Sequence, residues 1–292
     1  MKFSYRISVA IAASFLHIPV AQAEGGATKL WELGGFANPE SALFDAERGI
    51  VYVSNVAGDP TGKDGVGYIS RISPAGEMLE AEWVTGMNAP KGLILSGGTL
   101  YVSDIDQLVA IDVDSGEITN RWDAEGAIFL NDTAVDESGR IYVSDMIAEA
   151  IYVLDGDALS VLAKGEELAH PNGLKIADGQ LIVATWGRDL QADFSTLVPG
   201  SLLSIDLDSK VISALGSGKG VGNLDGLEQD GAGNWLATDW VSGGLLRIKP
   251  DGSHEMLVDL DMGSADLGYI PADKVAIVPM MMNNSLLAYE VE

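Results

Sequence analysis

The sequence predicts an all-β chain folded as a six-bladed β-propeller. One β-rich string recurs six times, each copy is followed by a second apolar strand, and helix signals are scarce. The string reads "VYVSN" at Val51, "LYVSD" at Leu100, "IYVSD" at Ile141, "LIVAT" at Leu181, "WLATD" at Trp235 and "VAIVP" at Val275. Successive copies start 49, 41, 40, 54 and 40 residues apart, which suits a four-stranded module and is too long for a leucine-rich repeat.

The second strands are "GYISRIS" from Gly67, "QLVAIDV" from Gln107, "AIYVLDG" from Ala150, "SLLSIDL" from Ser201, "GLLRIKP" from Gly244 and "SLLAYEV" from Ser285. Turns such as "DESGR" and "DGAGN" precede the recurring strings, and their Gly and Asp residues provide positive φ and side-chain bonds to the backbone. Before each turn lies a short apolar strand opened by a polar residue, and a fourth strand usually ends the unit, as "ITNRWD" does from Ile118. "MIAEA" at Met146 is too short for a helix and joins two strands. Radial closure leaves only short, protected sheet edges. The last unit stops after its third strand, and "TKLWELG" from Thr28 has no partners in a unit of its own. The N-terminal strand is therefore expected to complete the C-terminal blade.

The chain has 292 residues, enough for a sizeable core, and 47% of them are hydrophobic. Residues 1–23, "MKFSYRISVAIAASFLHIPVAQA", show a basic start, an apolar run from Ile7 to Val20 and small residues at Ala21 and Ala23. That three-part pattern is a secretory signal peptide with cleavage after Ala23, which leaves residues 24–292 as one propeller domain and a periplasmic or secreted location. No second long apolar segment follows, so no membrane association is expected after cleavage. There is no cysteine, which excludes disulfides, thiolate metal sites and cysteine nucleophiles. The 43 Asp and Glu against 17 Lys and Arg oppose nucleic-acid binding and favour divalent cations.

In a propeller the innermost strands line a central channel, so the polar residues that open them converge. Counting back from the recurring strings gives Glu40, Lys91, Asp132, Asn172, Asp225 and Asp266, one per blade, and Asn131 beside Asp132 can also point inward. Any one of them could be a strand cap. Together they are a carboxylate cluster that would repel itself without a cation. The available ligands are oxygens, which favours one divalent ion, Ca²⁺ before Mg²⁺, Mn²⁺ or Zn²⁺. Only His170 and His254 remain after the leader.

These residues resemble the senescence marker protein 30, gluconolactonase and luciferin-regenerating enzyme group of six-bladed propellers, which also resembles diisopropylfluorophosphatase. The resemblance lies in "PESALFD" with Glu40, "NDTAVDESGR" with Asn131, "PNGLKI" with Asn172 and "LDGLEQDGAGNWLA" with Asp225. It implies a single divalent ion held by Glu40, Asn131, Asn172 and Asp225, and hydrolysis of a lactone or other ester. Asp225 would act as base or nucleophile, with Asp132 beside the ion and Glu149 near the substrate. Phe129 stands where sugar-lactonase members carry Arg, which argues against an aldonolactone. Lys91 and Asp266 also depart from the pattern; they suit either a salt bridge with each other or, for Lys91, an anionic substrate group.

Trp186, Trp235 and Trp240 suit either packing or the mouth of a pocket. His170 suits either acid–base work or a backbone bond. "MMMNN" at 280–284 suits a rim or the core. "GSGKG" at Gly216 lacks the phosphate-loop pattern and is a loop. The function expected is a metal-dependent hydrolase acting on a small molecule; the alternative is a non-catalytic propeller that binds a small ligand or a protein partner.

Overall fold

The computed structural model describes residues 23–24 and 26–292; the leader expected over residues 1–23 lies, apart from Ala23, outside the described residues. Six antiparallel blades follow one another around a ring. Their innermost strands are Pro39–Asp45, Pro90–Ser96, Leu130–Val135, Pro171–Ala177, Leu224–Gln229 and Gly268–Ile270. Each lies against the next, and the sixth against the first. At that closure the Ala42 N–H donates to the Asp266 carbonyl (3.2 Å) and the Asp266 N–H to the Glu40 carbonyl (2.8 Å).

The last blade is completed as the sequence predicts. Ala27–Gly34 pairs antiparallel with Ser285–Val291, so the first and last blade strands of the chain are stitched together. The two-residue strand Ala23–Glu24 adds to its outer edge.

The core is divided among the gaps between neighbouring blades, and the recurring strings supply both sides of each gap. Val51 and Val53 pack with Ile277 and Ala288 of the sixth blade, whereas Tyr52 between them packs with Leu93 and Val102 of the second. Ile141 and Val143 likewise face the second blade through Leu108, and Tyr142 faces Leu174 and Val183 of the fourth. Successive strand side chains point to opposite faces, so a strand buried on both must be apolar throughout. At about 1.5–3 kcal/mol for each large aliphatic or aromatic side chain, the six gaps are the main source of stability.

Each innermost strand leaves its ladder in the same way. Pro39↔Asn55 is followed by Ala42↔Val53, Pro90↔Asp104 by Leu93↔Val102, and Leu130↔Asp145 by Thr133↔Val143. Pro171↔Thr185 is followed by Leu174↔Val183, and Leu224↔Asp239 by Leu227↔Ala237. Every shift is a bulge with one extra residue on the inner strand. In the sixth blade the bridge Ser264↔Met280 and the pair Gly268↔Ile277 leave the same extra residue.

The bulges sort the channel residues into two layers. The first bulged position holds Glu40, Lys91, Asn131, Asn172, Asp225 and Ala265; the second holds Ser41, Gly92, Asp132, Gly173, Gly226 and Asp266. Asp132 and Asp266 therefore fall one residue out of the register expected from the sequence, and Asn131 and Ala265 take their places. In the first, third and fifth blades Ser or Thr of the recurring string satisfies the freed backbone. Ser54, Ser144 and Thr238 hydroxyls accept from the N–H groups of Ser41, Asp132 and Gly226, each at 2.9 Å. The carboxylate that follows caps the lead-in loop: Asp104 accepts from Ala89 N–H (2.8 Å) and Asp145 from Ile128 N–H (2.7 Å).

Glycine in the second layer lets adjacent inner strands approach. A Cβ on Gly173 would fall inside the radius of the Asp225 carbonyl oxygen, which is backbone and cannot step aside. Gly173→Ala is expected to destabilise the protein by about 1–3 kcal/mol through this overpacking. Urea unfolding measures it, and an unchanged midpoint would refute the close approach.

Candidate metal centre

A cavity of about 280 Å³ opens over the first layer. Glu40, Lys91, Asn131, Asn172 and Asp225 make its floor, and none is more than 4% exposed. Among the described residues eight buried side-chain polar atoms lack a hydrogen-bond partner, and four of them are Glu40 Oε2, Asn131 Oδ1, Asn172 Oδ1 and Asp225 Oδ1. Half of the orphaned atoms thus gather on one cavity floor, and all four are oxygens. Each unmatched buried polar group costs about 1–3 kcal/mol, so a cluster of them calls for a missing partner. The Asn172 amide is steered by its nitrogen, which donates to Met146 Sδ at 3.9 Å.

The described residues contain no group of three or more His, Cys, Asp or Glu side chains placed to hold a metal. What the floor offers is two carboxylates and two neutral amides. A hard cation such as Ca²⁺ or Mg²⁺ binds oxygen sets of this kind, whereas zinc ordinarily recruits His or Cys. The two amides add ligand oxygens without adding charge.

The electrostatics of the floor follow from burial. Desolvation, helped by Asp266 and opposed by Lys91, pushes the Glu40 carboxyl up to about 8. Desolvation also lifts Asp225 well above the usual carboxylate range, with Glu40 and Asp266 adding to the effect. For Lys91 burial works in the other direction and brings the ammonium down to about 8, against the pull of Glu40, Asp104 and Asp145. The Lys91 ammonium donates to the carbonyls of Ala89 (3.0 Å) and Pro60 (3.2 Å) and stands 4.4 Å from the centre of the Phe129 ring. Phe129 is thus a cation–π partner for the one ammonium on the floor.

Asp132 and Asp266 line a different cavity, of about 150 Å³, at the level of the second layer. There they staple neighbouring inner strands. Asp132 accepts from Leu174 N–H (2.6 Å), and Asp266 accepts from the Ser41 hydroxyl (2.5 Å). Lys91 and Asp266 belong to separate cavities, so the salt bridge considered from the sequence is not formed. Nor is Asp132 among the residues at the orphaned oxygens, because its carboxylate is spent on backbone N–H groups.

Glu149 and His170 stand together behind Met146 and are not part of the cavity lining. His170 Nε2 lies 3.9 Å from Glu149 Oε1, and His170 Nδ1 lies 2.8 Å from the Met146 carbonyl. His170 supports the wall through the Met146 carbonyl. Trp186 and Trp240 do line the mouth, with ring centres 5.9 Å apart, while Trp235 packs between the fourth and fifth blades. Met280 is core; Met281 and Met282 form part of the rim.

Sequence reasoning missed Asn38, Gly58, Pro60, Met146 and Phe194, all of which line the cavity. A signal for some of them was present in the spacing. The 49-residue interval contains the loop at 56–66 that supplies Gly58 and Pro60. The 54-residue interval contains the extra hairpin Gly187–Leu190 and Thr196–Pro199, whose turn supplies Phe194. Trp186 Nε1 donates to the Phe194 carbonyl at 2.6 Å and ties that hairpin to the mouth.

The comparisons with known proteins agree with this architecture. The model of the SMP-30/Gluconolactonase/LRE-like region matches residues 38–263, and the chain belongs to that family. No curated protein matches the sequence. Among solved structures, a gluconolactonase from Xanthomonas campestris is similar with a TM-score of 0.67 and 14% identity, over 92% of this chain and 92% of that one. A second structure assigned to gluconolactonase has a TM-score of 0.64 and 19% identity, over 94% and 93%. Virginiamycin B lyase from Staphylococcus aureus has a TM-score of 0.62 and 11% identity, over 90% and 99%. At these identities the structural likeness shows the propeller fold. Family membership points to a lactonase-type propeller.

The position of Glu40 makes a pH prediction. Its folded value of about 8 lies above the usual 4.5, so the stability its proton represents is fully present below about 4.5 and is lost as pH rises through about 8. In chelator-treated protein, Glu40→Gln is expected to gain stability relative to the parent between those limits, because Gln has no proton to lose. Urea midpoints at pH 5 and 8.5 test this; a difference that does not grow with pH would contradict it.

Proposed function

We propose that the protein is a metal-dependent hydrolase of a lactone or other ester, working outside the cytoplasm on a small molecule. The observation that carries this reading is the gathering of four unsatisfied oxygens, from Glu40, Asn131, Asn172 and Asp225, on the floor of a cavity with apolar walls. These residues would hold one divalent cation, Ca²⁺ foremost. Such a cation supplies a Lewis acid that polarises an ester carbonyl and stabilises the charge that develops on its oxygen.

The remaining work falls to the chain. Asp225, on the floor, would be a carboxylate once its proton is displaced and would take a proton from the attacking water. The water oxygen bonds to the carbonyl carbon, the ester C–O bond breaks, and the proton passes to the departing alkoxide. Trp186, Trp240 and Phe129 shield the floor from bulk water, which strengthens every electrostatic interaction there. Lys91 is held by two carbonyls and an aromatic ring and tempers the negative charge of Glu40.

Asp225→Asn is expected to lower kcat on a responsive lactone or ester by at least about 10²-fold, the usual range for a lost general base, while the folded circular-dichroism signal persists. Turnover that survives this substitution would refute the role of Asp225. A screen of lactones, esters and phosphoesters that stays negative with Ca²⁺, Mg²⁺, Mn²⁺ and Zn²⁺ would refute the hydrolase.

Lys91→Met removes a positive charge beside the cation site while keeping a long apolar stem. Calcium binding, measured by titration calorimetry at pH 7, is expected to tighten on the order of tenfold. Weaker binding in this variant would show that Lys91 supports the ligand geometry instead of opposing the cation.

A further inference from the structure

Above the floor the cavity walls are built almost entirely from apolar surface. Phe129, Met146, Trp186, Phe194, Trp240 and Met281 surround it, and the Trp186 indole N–H is already spent on the Phe194 carbonyl. The Asn38 amide nitrogen, also at the wall, donates to the Met281 carbonyl at 3.3 Å. Two of the Lys91 protons are given to backbone carbonyls. A sugar lactone brings several hydroxyl groups, each of which would leave water for a wall with few free partners. An alkyl or aryl group would instead bury its surface at about 25 cal/mol per Å².

We propose that the substrate is an apolar lactone, a neutral five- or six-membered ring carrying an alkyl or aryl substituent, with its carbonyl at the oxygen floor and its substituent against the aromatic and methionine wall. This rests on the hydrolase reading above and names its substrate class. The products follow from water addition: the acyl oxygen bond breaks and an apolar hydroxy acid leaves. A volume of about 280 Å³ suits a ring with a short chain, near the lower end of small-molecule sites. The extra hairpin of the fourth blade gives the wall a part that can be changed without touching the blades. Phe194 at its turn is 45% exposed and has φ of 64°, a conformation that Asn tolerates. Met282, on the part of the rim that the sixth blade supplies, is 59% exposed.

The test compares δ-decalactone, δ-valerolactone and gluconolactone as substrates of the calcium-loaded protein, and measures binding of the non-hydrolysable 2-pentylcyclopentanone by the fluorescence of the mouth tryptophans. The expected order of kcat/KM places δ-decalactone first and gluconolactone last. Phe194→Asn is expected to lower the ratio of δ-decalactone to δ-valerolactone efficiency by about tenfold, the scale of a lost apolar pocket contact, and to weaken the ketone by a similar factor. Met282→Gln should move both readouts in the same direction. Gluconolactone turned over in preference to the alkyl lactone would overturn the substrate class and leave the hydrolase standing. Ketone binding that depends on Phe194, without turnover of any lactone, would support the apolar ligand class and sink the hydrolase. Ketone binding that is absent, or unaffected by both substitutions, would overturn the inference.

Discussion

Six sheets meeting at one axis bring their innermost strands close together, at three places too close for a side chain, and the bulge in each of those strands arranges the channel residues under that constraint. The extra residue breaks the alternation of the ladder, so two consecutive side chains per blade turn toward the channel region at different levels. At the lower level, close approach of backbones demands Gly92, Gly173 and Gly226, and the two acids there, Asp132 and Asp266, are consumed in stapling neighbouring strands. At the upper level there is room for side chains with nothing to satisfy them. The same backbone device therefore produces a saturated layer and an unsaturated one, a single residue apart.

That single residue marks the limit of what could be read from the sequence. The blades were legible because the recurring strings are buried on both faces and must be apolar in both phases, as Val51, Tyr52 and Val53 are. The closing strand was legible because "TKLWELG" had no unit of its own. The ring position was legible only to within one residue, since a bulge has no side-chain signature and turn lengths differ among blades. Counting back from Tyr142 reaches Asp132, whereas the ladder, shifted between Leu130 and Thr133, puts Asn131 in the layer of Glu40. In the sixth blade the same ambiguity exchanged Ala265 for Asp266. Loop residues such as Phe194 were beyond reach, because an extra length of chain says that something is added and not where its tip will rest.

The recurring Ser/Thr-Asp pair gains a physical meaning from the same geometry. It lies on the second strand, away from the cavity floor, and both residues do backbone work: the hydroxyl meets the N–H freed by the bulge, and the carboxylate caps the loop that leads into the innermost strand. The pair occurs in three of the six strings, at Ser103, Ser144 and Thr238, and its recurrence is more naturally explained by a demand those blades share than by a site that occurs once. The residues of the site are the ones that differ between blades at a shared position. Glu, Lys, Asn, Asn, Asp and Ala occupy equivalent places.

The change of chemistry from blade to blade at that position also explains why the lysine is tolerated. An oxygen set made only of carboxylates would hold a cation more strongly and would repel itself more strongly without one. Here two of the four oxygens belong to amides and one neighbour is an ammonium, so the floor approaches neutrality on its own, and the Phe129 ring replaces water around the Lys91 head. The remaining cost is the four unmatched oxygens, and a folded chain keeps such a cost where it serves a site rather than a core. Aromatic walls raise that cost further by keeping water from the floor. They also leave few free partners for any group that needs hydrogen bonds of its own, so the exclusion of water that leaves the oxygens unmatched sets the polarity of the whole cavity.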